Sequence, residues 1–386
     1  MADTLKHRWL KPMQPRDPHE AGRAATMLEL LFDLCFVVAI AIAGAELHHG
    51  IAEAHFGQSI LGFAMVFFAI WWAWMGQTWF ASAYDTDDSI YRIKVFVQMV
   101  GVLVLAAGVR AGMQHQDFRI MTLGFVIMRV GLIAQWLRAA KCDPPRRKAS
   151  IRFAYGLALC QVGWVGLNFL GLPSHLHLTV WMALVLAELA VPAIASRSTD
   201  LPWHAHHIAE RYGLLTIIVI GESVLAATLA VQKAVDAGSV SADLVPVIAG
   251  SPLIVFSMWW LYFLLPAPDI LTSFRKSFVW GYGHAPIFMS AAAVGAMLAL
   301  QADQAIGHTH INDVTAGMAL AIPVAVYLLS VLMFQILPHR PKFGLIAAFI
   351  VASGLVIGVS WVAWPTLWIG LLMAGLTCIG VALRHK

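Results

Sequence analysis

The sequence predicts an all-α integral membrane protein, a polytopic bundle of about 12 transmembrane helices in two parallel six-helix repeats. Three observations predict it. Of the 386 residues, 60% are hydrophobic and 12% are charged, against about 25% charged in an average soluble domain, and the mean hydropathy is +0.76. Apolar runs long enough to cross roughly 30 Å of hydrocarbon as helix recur almost without pause. The basic residues gather in every second loop between those runs.

The polar, basic stretch 1–24 leads straight into a full-length apolar run with no short h-region or cleavage site, so it reads as a cytoplasmic N-terminal tail and not as a signal peptide. The runs follow at 26–47, 59–81, 93–110, 119–138, 151–171 and 177–195, then at 209–231, 244–265, 279–300, 314–337, 343–360 and 363–383. The loops between them are short, as for antiparallel neighbours, and leave no room for a soluble domain. With the N-terminus inside, all of the 25 basic residues except Arg110, Arg119, Arg129 and Lys233 fall on the cytoplasmic side. The positive-inside rule therefore predicts cytoplasmic N- and C-termini. The same rule accounts for a pI near 8.9 and removes nucleic acid as a partner; the lipid bilayer is the expected one. Oligomeric state is not encoded in these patterns. Four cysteines without C-x-x-C spacing suggest neither a disulfide framework nor a metal site.

The chain also resembles itself. "FAIWWAWMGQTWFASAYDTDDS" at 68–89 parallels "FSMWWLYFLLPAPDILTSFRKS" at 256–277, with Trp71/Trp72 matching Trp259/Trp260. "ELLFDLCFVVAIAIAGA" from Glu29 lies over "ERYGLLTIIVIGESVLA" from Glu210. A six-plus-six duplication, with repeats at 25–200 and 201–386 in the same orientation, follows from this self-similarity.

"LELLFDLCFVVAIA" near the start and "HIAERYGLLTIIVIGESVLA" at 207–226 are similar to two segments of the low temperature requirement A family of bacterial membrane proteins. That family carries E-L-F-F-D-L-V-F-V near its start and H-x-x-E-R-x-G-L-x-x-I-x-x-G-E-S near its middle. The matching residues are Glu29, Phe32, Asp33 and Phe36, then His207, Glu210, Arg211, Gly213, Gly221, Glu222 and Ser223; Leu31 and Cys35 stand where Phe and Val are usual. The resemblance implies a membrane fold and leaves the chemistry to the residues.

Ionisable side chains in hydrocarbon are costly and mark pathways or pairs. Glu29 and Asp33, four residues apart, share one face of the first helix. Glu29 at the helix start fits an N-terminal cap, while Asp33, one turn deeper, is expected to face the bundle interior. Glu222 lies about 18 Å along its helix from Glu210, near mid-membrane and beside Ser223. Arg129 is the deepest basic residue. Two readings stay open: a structural Glu222–Arg129 lock, or a proton- or cation-coupled site joined by Asp33, Glu29, Glu188, Glu210 and Ser223. "HAHHIAER" at 204–211 puts His206 and His207 one turn from Glu210, a spacing that suits a shared proton or a divalent metal such as zinc, although no cofactor is required. His175, His177, His308, His310, His48, His49, His55 and His115 crowd the outer loops, where pH or metal sensing is the alternative to simple interfacial placement.

Three functions follow. The first is a proton- or cation-coupled transporter of a small solute or ion. The second is a cation channel of duplicated six-helix units, since the Phe32-Asp33 pair resembles a Phe-Ser-Asp motif in an endolysosomal potassium-channel family. The third is a His/Glu metal-dependent membrane enzyme or outer-face sensor, with no catalytic residue assigned, because H-E-x-x-H, nucleophile-elbow and Walker motifs are all missing from the sequence.

Overall fold

The computed structural model describes residues 9–20, 22–169, 171, 173–197, 201–236 and 242–384, without the side chains of 174, 175, 233 and 234. Lys6, Arg8 and Lys386 of the charge pattern, and the side chains of His175 and Lys233, lie outside the described residues. Twelve long helices form, and no strand is present among the described residues. We number them α1 (Met27–Ala52), α2 (Phe56–Tyr84), α3 (Ser89–His115), α4 (Arg119–Cys142), α5 (Arg147–Phe169), α6 (Ser174–Ala195), α7 (Ala205–Asp236), α8 (Leu244–Tyr262), α9 (Phe274–Ala305), α10 (Asp313–Val331), α11 (Phe343–Gly358) and α12 (Pro365–Arg384).

Each helix falls on one of the twelve apolar runs, and eleven of them are long and apolar enough to cross a membrane. The exception among the twelve is α5, whose first turns carry Arg147, Lys148 and Arg152. Several helices outrun their apolar cores. α9 extends to 274–305 because Ser273 caps it, accepting from the Lys276 amide, and α3 starts early because the Asp88 carboxylate accepts from the Tyr91 amide at 2.8 Å. Proline interrupts α6, α8, α9 and α10 at Pro192, Pro252, Pro286 and Pro323, and a π-turn at Leu332–Ile336 continues α10.

The chain divides into two compact units, residues 1–39 with 69–211 and residues 40–68 with 212–386, so α1, α2 and α7 give residues to both. Within the first unit α3 and α4 pack most closely. A Cβ on Gly124 would stand 2.4 Å from the Leu105 amide nitrogen, and one on Gly101 2.6 Å from the Gly124 carbonyl, so only glycine permits this backbone approach. Lipid tails are as apolar as the helices, and such tight van der Waals contact is what holds helices together there. The ring of Trp136 stacks on Phe153 at 4.2 Å beside this seam. In the second unit α8 and α12 meet in the same manner: a Cβ on Gly250 would come within 2.4 Å of the Thr366 carbonyl oxygen, and one on Gly370 within 2.7 Å of the Gly250 carbonyl oxygen.

The stretch before α1 is held down. The last carbonyls of a helix have no partner inside it. At the end of α2 the N-terminal stretch supplies them: Arg23 donates to the carbonyls of Ser82 at 2.5 Å and Ala81 at 2.9 Å, and the Arg16 amide donates to Ala83 at 2.9 Å. The Lys11 amide donates to Asp88, which also pairs with Arg138, and Met13 is fully buried. Although burial alone would raise its pKa, Arg138 and the amides of Lys11 and Tyr91 hold Asp88 below the usual carboxylate range.

Candidate functional site

The first helix opens with a capping box. The Thr26 hydroxyl accepts from the Glu29 amide at 3.3 Å, and the Glu29 carboxylate accepts from the Thr26 amide at 2.8 Å. Glu29 is therefore the cap expected of it, but it does more. Its Oε1 lies 2.8 Å from Arg211 Nη1 and 3.1 Å from His207 Nε2. One turn deeper, Asp33 accepts from Arg211 Nη2 at 2.5 Å and Nε at 3.2 Å, and from Trp74 Nε1 at 2.7 Å. Asp33 and Arg211 are both fully buried. Two residues spaced i, i+4 on α1 thus meet two residues spaced i, i+4 on α7.

His204 sets the entry to α7. Its Nδ1 accepts from the His207 amide at 3.2 Å, and its Nε2 lies 2.8 Å from the Glu20 carbonyl. Burial lowers its pKa, which fits a neutral ring that donates from Nε2 and accepts at Nδ1. Glu210 accepts from the Ala25 amide at 3.0 Å. His206, His207 and Glu210 are not brought together as ligands: His207 turns to Glu29, Glu210 turns to Ala25, and the His206 ring neighbours His204 at 6.0 Å. No group of three His, Cys, Asp or Glu side chains suited to a metal occurs among the described residues.

A second carboxylate is buried on α6. Glu188 accepts from Trp72 Nε1 at 2.8 Å, Gln161 Nε2 at 3.2 Å, Trp164 Nε1 at 3.3 Å and Arg129 Nη2 at 3.3 Å. The Arg129 guanidinium also covers the Phe125 ring, and a Cβ on Gly76 would stand 2.8 Å from its Nη1. The counter-ion of Arg129 is therefore Glu188, which takes the place that one of the two open readings gave to Glu222. Four donors from three helices, α2, α4 and α5, leave this carboxylate fully solvated by protein. Close by in the sequence, Gln98 Nε2 bridges Gln77 and Gln135, each at 3.0 Å.

Glu222 is different. It is half-buried on α7, in the second unit, and no hydrogen bond or ion pair engages it among the described residues. It lines a cavity of about 490 Å³ bounded by α1 (Ile40 to His48), α7 (Val219 to Ala230) and α9 (Ala292 to Asp303). His48 and Asp303 are the other ionisable groups lining it among the described residues, and they stand 3.0 Å apart. Ser223, beside Glu222, donates to the carbonyls of Val219 and Ala291 and fills the place where Gly295 of α9 comes close, so it serves helix contact.

Sequence reasoning named Glu29, Asp33, Arg129, Glu188, Glu210, Glu222 and Ser223. It missed the partners. In the sequence Arg211 counts with the cytoplasmic cations and the family motif, Trp72 marks the repeat, and Trp74 and Trp164 carry no assigned role. The signal for Arg211 was available in the complementary i, i+4 spacing of Glu29/Asp33 and His207/Arg211.

Twelve helices of this length, with carboxylates and arginines paired inside them, define a multi-pass helical membrane protein. A family model described as bacterial low temperature requirement A protein (LtrA) matches residues 24–382. The chain belongs to that family. It is also similar to an uncharacterized protein, RA0937, of Rhizobium meliloti (strain 1021), with 25% identity across 89% of this chain and 85% of that one. No solved structure matches it.

Proposed function

We propose that the protein is a proton-coupled transporter of a small solute or ion, with Glu222 as the coupling carboxylate. One observation carries the reading: Glu222 lines a cavity of about 490 Å³ without a partner among the described residues, whereas Glu29, Asp33, Glu188 and Glu210 are each engaged by named donors. An unpaired carboxylate among apolar side chains has two low-energy states, the neutral acid or the anion beside a cation, and alternation between them is what coupling needs. Glu29, Asp33, Glu188, Arg129 and Glu210 then form the framework against which that alternation occurs, and Ser223 fixes the helix that carries Glu222.

The membrane placement proposed is the bacterial inner membrane with cytoplasmic termini and α5 as the twelfth crossing, supported by the distribution of Lys and Arg. The two-repeat arrangement, 25–200 and 201–386, is supported by corresponding polar contacts. Gln135 near the end of α4 accepts from Gln98 on α3, and Gln335 in the π-turn that continues α10 accepts from Trp280 on α9 at 3.0 Å. Cysteines introduced at 142–149 should label only from the cytoplasm and those at 173–176 only from outside; the reverse pattern ends this topology.

The test of function is flux. Proteoliposomes loaded with a pH-sensitive dye, challenged with candidate solutes under an imposed pH gradient, should show saturable, solute-dependent proton movement that Glu222→Gln abolishes. Electrical conductance that needs no gradient and survives Glu222→Gln would replace the transporter with a channel.

A further inference from the structure

The cavity at Glu222 has a chemistry of its own. Its walls come from small and aliphatic side chains at helical spacing, among them Ile40, Ala226, Leu229, Ala292 and Ala296. A Cβ on Gly44 would only touch Ala296 at 3.9 Å, and small residues on three helices, Ala41 on α1, Ala226 on α7 and Ala292 on α9 among them, create the space. Its volume falls within the roughly 300–1,000 Å³ of small-molecule sites, and its mouth is partly open. Of the ionisable groups lining it among the described residues, His48 on α1 and Asp303 on α9 occupy each other at 3.0 Å, while α7 contributes Glu222.

These features select among ligand classes. Among the described residues an anion would meet Glu222 with no unpaired cationic side chain to receive it. A hard metal ion needs about six oxygen ligands, and a sugar needs hydrogen-bonding groups around its rim; the walls supply neither. No aromatic ring among the described residues lines the cavity, so they form no aromatic cage of the kind that suits small quaternary ammonium ions. What remains complementary is a bulky, apolar body carrying one delocalised positive charge.

We propose that this cavity binds lipophilic organic monocations, with the Glu222 carboxylate as their counter-ion. The proposal rests on the reading of Glu222 as the proton-coupling residue and names the substrate class of that site. One carboxylate holds a proton or faces a cation, not both, so each cation that enters the site releases one proton from Glu222 and each that leaves allows one back. The balance is one charge for one charge. His48 and Asp303, already paired, stay outside this exchange.

The probe is methyltriphenylphosphonium, titrated into the purified full-length protein in detergent and followed by calorimetry. We expect saturable binding at one site, weakened at least tenfold by Glu222→Gln and largely restored by Glu222→Asp. Affinity should fall as the pH is lowered, and about one proton should appear per cation bound in weakly buffered solution. Ala226→Phe, which fills the cavity and leaves the carboxylate in place, should also abolish binding with thermal unfolding unchanged. Uncharged triphenylphosphine oxide should bind wild type and Glu222→Gln alike. Absence of saturable binding, or equal binding by wild type and Glu222→Gln, overturns the organic-cation assignment, and solute-driven proton movement in proteoliposomes would then leave the transporter reading standing. Glu222-dependent binding without proton release supports the cation site and overturns proton coupling.

Discussion

The helices α1 and α7 between them carry carboxylates in two settings, and the two settings obey opposite rules. In the first unit, Glu29 and Asp33 of α1 close on Arg211 of α7, with His207, Thr26 and Trp74 taking up further oxygen lone pairs. In the second, Glu222 of α7 faces a cavity with no partner among the described residues. A buried charge that is matched is fixed in place, because moving either member strands the other. A charge left unmatched keeps its freedom to take up a proton or a ligand. The comparison therefore separates residues that hold the protein together from a residue that is able to act, although both are acidic side chains on the same helices.

If that distinction holds, stability and activity will respond to different substitutions. Arg211→Met should have the largest effect on folding: two buried carboxylates lose their cation at once, and the cost should reach the upper end of about 3–5 kcal/mol, seen as a marked loss of melting temperature or of folded protein. Glu188→Gln should cost a comparable or slightly smaller amount by stranding Arg129, and the double variant Glu188→Gln/Arg129→Met should regain much of it in thermal unfolding. Additive losses in that double variant would show that the two side chains are not energetically coupled.

Asp85, in the turn between α2 and α3, gives an intermediate effect of opposite sign. Burial, then the carboxylates of Glu29 and Asp87, raise its pKa to about 6. The folded chain therefore keeps a proton that the unfolded chain releases, so between about pH 4 and 6 stability falls as pH rises, and above pH 6 the folded state bears the full cost of the buried charge. Asp85→Asn should raise the melting temperature at pH 7 by a few degrees and change it little at pH 4. A variant no more stable than wild type at pH 7 would contradict this. The smallest effect on folding belongs to Glu222→Gln, expected within about 0.5 kcal/mol of wild type even as it removes coupled flux. A large stability loss there would erase the contrast between the two settings.

Much of the fold was legible because the bilayer imposes it: a helix must supply about twenty apolar residues to satisfy its backbone in hydrocarbon, and that demand is written in the sequence. Helix ends were less legible. The apolar run marks the hydrocarbon-facing part, whereas α9 continues over the polar residues from Phe274 to Ala305 through its own backbone bonds and its Ser273 cap. At the site, the depth of each ionisable residue was readable but not its neighbour. Arg129 and Glu222 both lie deep in their helices, yet Glu188 takes Arg129, because helix packing decides pairing and a single sequence reports only position along each helix. The glycines made the same point. Gly163 meets the Leu184 side chain, while Gly124 and Gly250 meet backbone. Spacing alone does not distinguish a glycine facing a side chain from one at a close backbone crossing.

The Asp33–Arg211 contact spans 178 residues of chain. At ribosomal rates of about 5–20 residues per second, α1 emerges roughly 10–35 s before the arginine that neutralises it. During that interval Glu29 and Asp33 have no cation from α7, and the first helix of the chain must either enter the bilayer with its carboxyls protonated or wait near water with its N-terminal turns outside the hydrocarbon. The order of synthesis thus runs against the order of stability. A cation supplied early, by an arginine placed on α2 near Trp74, would be expected to hasten insertion of α1 and to compete with Arg211 afterwards. The late arrival of Arg211 makes the completed ion cluster a checkpoint that the nascent chain passes only once α7 has been made.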